Sequence, residues 1–198
     1  MSGVSDRWAE RIAQRYGRKQ GLYRHYKFLI LYRLGRFQRF QETDWNRVRR
    51  LVFVCRGNIC RSPYAERRAR VLGIPAASFG LEADGCSPPD RTAVRISRQR
   101  GLELNGHHAR PTSEFSPGPE DLLVGMEPWH GQRLLHLSIG SGAQVTLLGL
   151  WCRPPRPHIE DPYSLGERYY QTCFASMDDA IERIARRIRP SEQRPRQE

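Results

Sequence analysis

The octapeptide Cys55-Arg56-Gly57-Asn58-Ile59-Cys60-Arg61-Ser62 leaves this chain few ways to fold, because of what stands on either side of it. Before it runs the apolar stretch Leu51-Val52-Phe53-Val54, short and β-branched, which reads as a buried strand. After it comes SPYAERRARVLG, which reads as a helix. Ser62 and Pro63 suit a helix N-cap and first turn, Glu66 suits the positive end of the helix dipole, and Gly73 stops the helix after Leu72. Strand, loop and helix in that order aim backbone N–H groups at the space between them, which is an anion site.

Cys55 and Arg61 bracket five residues, enough for the loop to curl until its amides converge on one phosphate. Gly57 and Asn58 are the residue types that tolerate left-handed backbone, so both are expected to take it up. A cysteine inside such a ring of donors, beside an arginine and a helix N-terminus, is expected to be held as the nucleophilic thiolate. Arg61 can grip two phosphate oxygens with its planar fork, and Ser62 can hydrogen-bond the sulfur and ease its departure. A bare Cys-x5-Arg arises by chance in a strand end and a solvated helix. The strand, the turn residues and the capped helix are what give this one its meaning.

Downstream, the alternation continues. Ala76–Gly80, Asp121–Met126 and Gln144–Leu148 read as strands. Helices are expected from Pro88-Pro89-Asp90 to Gly101, near Pro128 to Leu137, and from Gly166 to Ile188, the last on the spacing of Tyr170, Phe174, Met177, Ile181, Ile184 and Ile188. The proline-rich segment Leu150 to Tyr163 should be an irregular loop. Such alternation implies an α/β domain with a four-stranded parallel sheet, doubly wound, with its site at the C-terminal edge of the first strand. Three parts are expected: a basic helical extension over 1–49, the α/β domain over 50–188, and a tail over 189–198 without apolar content.

The segment VFVCRGNICRSPYAE closely resembles the phosphate-binding loop of the low-molecular-weight protein tyrosine phosphatases. That family carries a second signature, an Asp-Pro followed by an aromatic, and this chain has Asp161-Pro162-Tyr163. Ser78-Phe79-Gly80, Gly106-His107-His108-Ala109-Arg110 and Gly125-Met126-Glu127 stand where the family has similar runs, so the resemblance spans about residues 50–188. It implies hydrolysis of phosphomonoesters, of protein phosphotyrosine above all, with Cys55 as nucleophile, Arg61 as clamp and Asp161 as general acid and then base. Arg56, Gly57, Asn58, Ile59, Cys60 and Ser62 would cradle the phosphate, and Tyr163 would form one wall of the slot. Taken alone, Asp161 would be a turn residue, and Glu160 is a substitute acid beside it. By the same resemblance, His107 would brace Asn58, and Cys60 would either protect Cys55 by a reversible disulfide or be a small buried group. No metal or organic cofactor is required.

The chain departs from the family in places. Leu81 to Ser87 has no Trp or Tyr where the family offers an aromatic wall, leaving Phe79 or Trp151 to compensate. Arg56 replaces a small or apolar residue, which would favour acidic substrates, and Glu127 replaces an Asp. Two rivals follow. An arsenate reductase on the same fold needs a closely placed pair of relay cysteines, and Cys86, Cys152 and Cys173 are not so spaced. A catalytically weak phosphate-binding adaptor would have no use for Cys55, Arg61 and Asp161 together.

The extension has no counterpart in the family. Residues 1–50 hold thirteen Lys or Arg against four Asp or Glu, while the whole chain is +12, so most of the excess charge sits there. Trp8, Ile12 and Tyr16, then Tyr26, Ile30, Leu34 and Phe37, recur at helical spacing among these arginines. Either this basic amphipathic arm docks on an anionic membrane or an acidic protein, or its aromatic stripe packs on the core. No nucleic-acid-reading motif appears. The first twenty residues lack the apolar stretch of a secretory signal, and five cysteines without a framework suit a reducing compartment. A cytoplasmic location, with peripheral membrane attachment through the arm, is the expectation.

Overall fold

The computed structural model describes residues 2–188, and the tail expected over 189–198 lies outside the described residues. Four strands, β1 (Arg50–Cys55), β2 (Ala76–Gly80), β3 (Asp121–Gly125) and β4 (Gln144–Leu147), form one sheet in the order β2-β1-β3-β4. All three pairings are parallel. The two central strands are buried from Leu51 to Cys55 and from Asp121 to Gly125, which is why they read as continuous apolar runs and not as alternating ones.

Two basic helices, α1 (Ser2–Tyr16) and α2 (Lys19–Arg33), precede the sheet. The crossovers are α3 (Arg61–Val71), α4 (Arg91–Gln99) and α5 (Pro128–Leu137), and α6 (Glu167–Ile188) packs on α3 and α4. Tyr64 of α3 stacks on Phe174 of α6 at 3.8 Å between ring centroids. Asp90 caps α4 by accepting from the Ala93 N–H at 2.9 Å. Helix α3 begins at Arg61 with Cys60 at its N-cap, so Ser62 sits inside the first turn instead of capping it. The reason is that its hydroxyl is engaged with Cys55 and Asn58. The strands end a residue earlier than the apolar runs, at Gly125 and Leu147.

At the sheet's C-terminal edge Cys55 stands level with Gly80 of β2. A side chain at Gly80 would put its Cβ 2.7 Å from Ala83 Cβ and 2.9 Å from the Asn58 nitrogen, so the strand end seats the loop after β1 only as glycine.

The aromatic stripe of the extension divides. Ile12 and Phe37 are buried, and α1 packs on α6. Trp8, Tyr26, Ile30 and Leu34 are exposed, and it is Phe28, Leu31 and Tyr32 on α2 that rest on the core.

Candidate active site

Asn58 is the pivot of the loop. It takes left-handed backbone at φ 55° and is fully buried. Its Nδ2 donates to Ser62 Oγ at 2.8 Å and to Ser78 Oγ at 2.9 Å, its Oδ1 accepts from the Arg110 N–H at 2.9 Å, and its carbonyl accepts from His107 Nε2 at 2.9 Å. Burial pushes the His107 pKa down, which keeps the ring neutral and leaves its proton on the nitrogen facing Asn58. The expectation that Gly57 shares the left-handed conformation is corrected, since of the two Asn58 alone has positive φ. A Cβ at Gly57 would meet nothing nearer than Ile59 Cγ1 at 3.7 Å, so what this glycine supplies is bare backbone on the pocket wall.

Because Ser62 Oγ accepts from Asn58, its own proton is left for Cys55 Sγ, 2.9 Å away, or for the more distant Phe79 carbonyl at 3.4 Å. Cys55 opens onto a pocket of about 330 Å³ lined also by Arg56, Gly57, Ile59, Cys60, Glu82, Asp161 and Tyr163. Arg61 lies behind this pocket, its side chain 1% exposed. Its Nη1 donates to Glu127 Oε1 at 2.7 Å and to the Ile159 carbonyl at 2.8 Å. Its Nη2 is 2.7 Å from Asp161 Oδ2 in an ion pair, yet has no aligned hydrogen-bond acceptor. Burial disfavours the charge, but Asp161 and Glu127 more than offset it and raise the Arg61 pKa well above its ordinary value. A permanent cation is thus held behind the pocket, with Nη2 paired to Asp161 by charge but by no aligned hydrogen bond.

Asp161 enters from the segment before α6. Its Oδ1 accepts from the Tyr163 N–H at 3.2 Å, which leaves Oδ2 facing Arg61. Glu160, the substitute acid of the sequence reading, points the other way, to Arg18, Arg24 and His158. Tyr163 is exposed at the rim. Phe79 stacks on Phe115 at 4.5 Å and Trp151 meets Trp45 edge-on at 4.9 Å, so neither supplies the missing aromatic wall. Arg56 donates to Glu82 at 2.6 Å, which offsets at the rim the positive charge expected to select acidic substrates. Glu82 carried no signal in the sequence, since one acid in a short loop has no pattern to mark it. Glu127 was visible only as a departure, and its link to Arg61 joins residues 66 apart.

Of the other four thiols, Cys86 is exposed and three are buried. Burial raises the Cys60 pKa, with its sulfur 3.6 Å from the Tyr170 hydroxyl. Burial likewise pushes Cys152 and Cys173 up to about 12, so neither supplies thiolate at neutral pH. Among the described residues no group of three or more His, Cys, Asp or Glu is placed to hold a metal ion.

Comparison with known proteins agrees with this geometry. The chain is 35% identical over 141 residues to the low molecular weight protein-tyrosine-phosphatase Wzb of Escherichia coli K12, covering 69% of this chain and 90% of that one. It is 29% identical over 140 residues to Etp of the same organism, covering 70% and 93%. The solved tyrosine phosphatase Wzb of Escherichia coli K30, in complex with sulphate, superposes with a TM-score of 0.61 at 26% identity over 70% of this chain and 97% of that one. The family model for low molecular weight phosphotyrosine protein phosphatase matches residues 50–194, which places α1 and α2 ahead of it. With the loop, Asp161 and Tyr163 on one pocket and the buried arginine behind it, the chain belongs to the low molecular weight phosphotyrosine protein phosphatase family.

Proposed function

We propose that this chain hydrolyses phosphotyrosine on proteins through a phosphocysteine at Cys55. The observation that carries the proposal is the meeting of Cys55 and Asp161 on one small pocket, with Arg61 behind it and ion-paired through Nη2 to Asp161 Oδ2. The related Wzb was solved in complex with sulphate, an oxyanion of phosphate's shape, which supports an anion-binding reading.

In the resting site Asp161 neutralises Arg61. An incoming phosphate takes the Nη2 donor, with the loop amides of Gly57 to Ser62 around its other oxygens, and Asp161, parted from its cation, takes up a proton from solvent or from the phosphate monoanion and turns toward the ester oxygen. The Cys55 thiolate attacks phosphorus, the P–O bond to the tyrosine breaks, and the departing phenolate takes the proton of Asp161. Asp161, now a carboxylate, removes a proton from water as its oxygen bonds phosphorus and the S–P bond breaks. Ser62 donates to the sulfur as it leaves. Ile59 and Tyr163 flank the position of the ring, while Cys60 serves as a buried element of the loop.

Hydrolysis of para-nitrophenyl phosphate by the wild type, Cys55→Ser and Asp161→Asn tests this, with phosphotyrosine and phosphoserine peptides and arsenate in parallel. Loss of turnover in Cys55→Ser and a fall of about 10²-fold or more in Asp161→Asn are expected. Undiminished turnover in Cys55→Ser would end the proposal, and arsenate-dependent thiol oxidation would put a reductase in its place.

The arm adds location. On α2 and at its C-terminal cap, Tyr23, Tyr26, Ile30 and Leu34 are exposed beside Lys27 and Arg33, and among the described residues no helix is long and apolar enough to cross a membrane. This face suits an anionic lipid surface, which takes aromatic and aliphatic side chains and cations together. Sedimentation with phosphatidylserine vesicles, lost in a Tyr26→Ser/Ile30→Ser/Leu34→Ser variant, is the expected result. No pelleting at low salt would leave an acidic protein as the alternative partner.

A further inference from the structure

Asp161 and its neighbour Glu160 have opposite fates. Asp161 faces the pocket, whereas Glu160 is 3% exposed and faces the helical extension. Arg18, just ahead of α2, donates through Nε to Glu160 Oε1 at 2.9 Å, and Arg24 donates through Nη1 to Oε1 at 2.9 Å and Oε2 at 3.1 Å. His158 Nε2 lies 2.8 Å from Oε2, and Phe28 of α2 stacks on the His158 ring at 5.3 Å. The backbone fits as closely, for a Cβ at Gly21 of α2 would come 3.4 Å from Glu160 Cγ and one at Gly17 would come 2.5 Å from Leu165. On the other side, Arg61 holds the Ile159 carbonyl at 2.8 Å and Met126 accepts from the Ile159 N–H at 3.0 Å. The segment that presents Asp161 is thus held from the core at Ile159 and from the extension at Glu160.

We infer that the extension is a positioning element for the general acid, with Arg18 and Arg24 setting the place of Asp161 through the buried carboxylate of Glu160. The inference rests on Asp161 being that acid. Burial alone would raise the Glu160 carboxyl, and the bonds from His158, Arg18 and Arg24 overcome this and hold it down at about 2. A buried carboxylate stripped of its two arginines must take up a proton or swing out to water, and Asp161 is covalently next to it. The phosphate loop has no contact with either arginine among these bonds, so binding of the anion is expected to survive what disturbs the acid.

The measurement is made on the full chain with Arg18→Ala/Arg24→Ala, against phenyl phosphate and para-nitrophenyl phosphate. Phenolate is the poorer leaving group and depends on the acid, whereas nitrophenolate departs with little help. A misplaced acid predicts about a 10²-fold loss of kcat on phenyl phosphate. It also predicts a much smaller loss on the nitrophenyl ester and unchanged competitive inhibition by inorganic phosphate. In an Asp161→Asn background the same two substitutions should cost nothing further on phenyl phosphate. Equal losses on both esters, weaker phosphate inhibition, or an undiminished loss in the Asp161→Asn background would make the contact merely structural and overturn the inference. So would wild-type behaviour of the double variant. Should that variant not fold, Arg18→Ala and Arg24→Ala singly, each leaving one guanidinium on Glu160, are read in the same way. Asp161→Asn alone separates the two levels: no leaving-group-dependent loss there removes the acid assignment, and this inference falls with it.

Discussion

Replacing Asn58 with Ala tests whether one buried amide holds the phosphate loop. The change deletes three side-chain hydrogen bonds, to Ser62 Oγ, Ser78 Oγ and from the Arg110 N–H, each worth about 1 kcal/mol net. It also leaves the Arg110 N–H without its acceptor, at about 1–3 kcal/mol if no water reaches it. Alanine at φ 55° adds about 1 kcal/mol. The terms overlap, and a loss of about 3–5 kcal/mol is expected, a large part of a typical domain's stability. Asn58→Gly removes the same bonds without the left-handed penalty, and its extra unfolded-state entropy of about 0.5–1 kcal/mol does not exceed that relief. The glycine variant should therefore be at least as stable as the alanine one. Freed from Asn58, the Ser62 hydroxyl can shift further toward the Phe79 carbonyl, already 3.4 Å away, and abandon the sulfur, so kcat on para-nitrophenyl phosphate should fall in both variants. Urea unfolding and steady-state turnover measure the two effects. A destabilisation under about 1 kcal/mol, or an alanine variant more stable than the glycine one, would refute the account.

Two further outcomes follow from buried groups beside the loop. Burial pushes His130 down to about 2, and its Nδ1 accepts from the Met126 and Glu127 N–H groups at 3.2 and 3.1 Å, so protonation must break both. The unfolded imidazole takes its proton first near the usual value of about 6.5, so stability from this group is full above that pH and falls below it, by up to about 1.4 kcal/mol per pH unit. Urea midpoints at neutral pH and in mild acid check this, and His130→Asn, which keeps an acceptor, should flatten the slope. Gly80→Ala drives a methyl to 2.7 Å from Ala83 Cβ and 2.8 Å from the Arg56 carbonyl, and is expected to cost about 1–3 kcal/mol and weaken inhibition by phosphate. Gly166→Ala, with nothing within 4 Å, should stay within about 0.5 kcal/mol of wild type and serves as its control.

Elements whose causes are local were legible in the chain. Leu51 to Val54 announces β1 because a strand buried on both faces must be continuously apolar, and Pro128 marks the first turn of α5 because its missing N–H costs nothing there. Cys55 and Arg61 were legible for the same reason, since their spacing and flanks lie within one loop. Which apolar face of α2 meets the core was not legible. Tyr26, Ile30 and Leu34 have helical spacing, but so does the neighbouring set of Phe28, Leu31 and Tyr32, and only the docking of the helix decides between them. Gly57 misled because composition shows that a left-handed angle is tolerated, not where the hydrogen bonds will place it. Asn58 takes the angle because its amide and carbonyl meet four partners when it does.

The pair Glu160-Asp161 shows where local reading must stop. Both are carboxylates on one irregular segment, and neither spacing nor propensity says which faces the pocket. The choice is made by fixed cations on opposite sides: Arg61 at 2.7 Å from Asp161, and Arg18 and Arg24 on Glu160 from positions 142 and 136 residues away. In the observed orientation the buried Glu160 carboxylate meets Arg18, Arg24 and His158, and Asp161 meets Arg61, so each carboxylate has its own fixed partners. Which of the two carboxylates faces the pocket is thus a property of the whole chain, extension included.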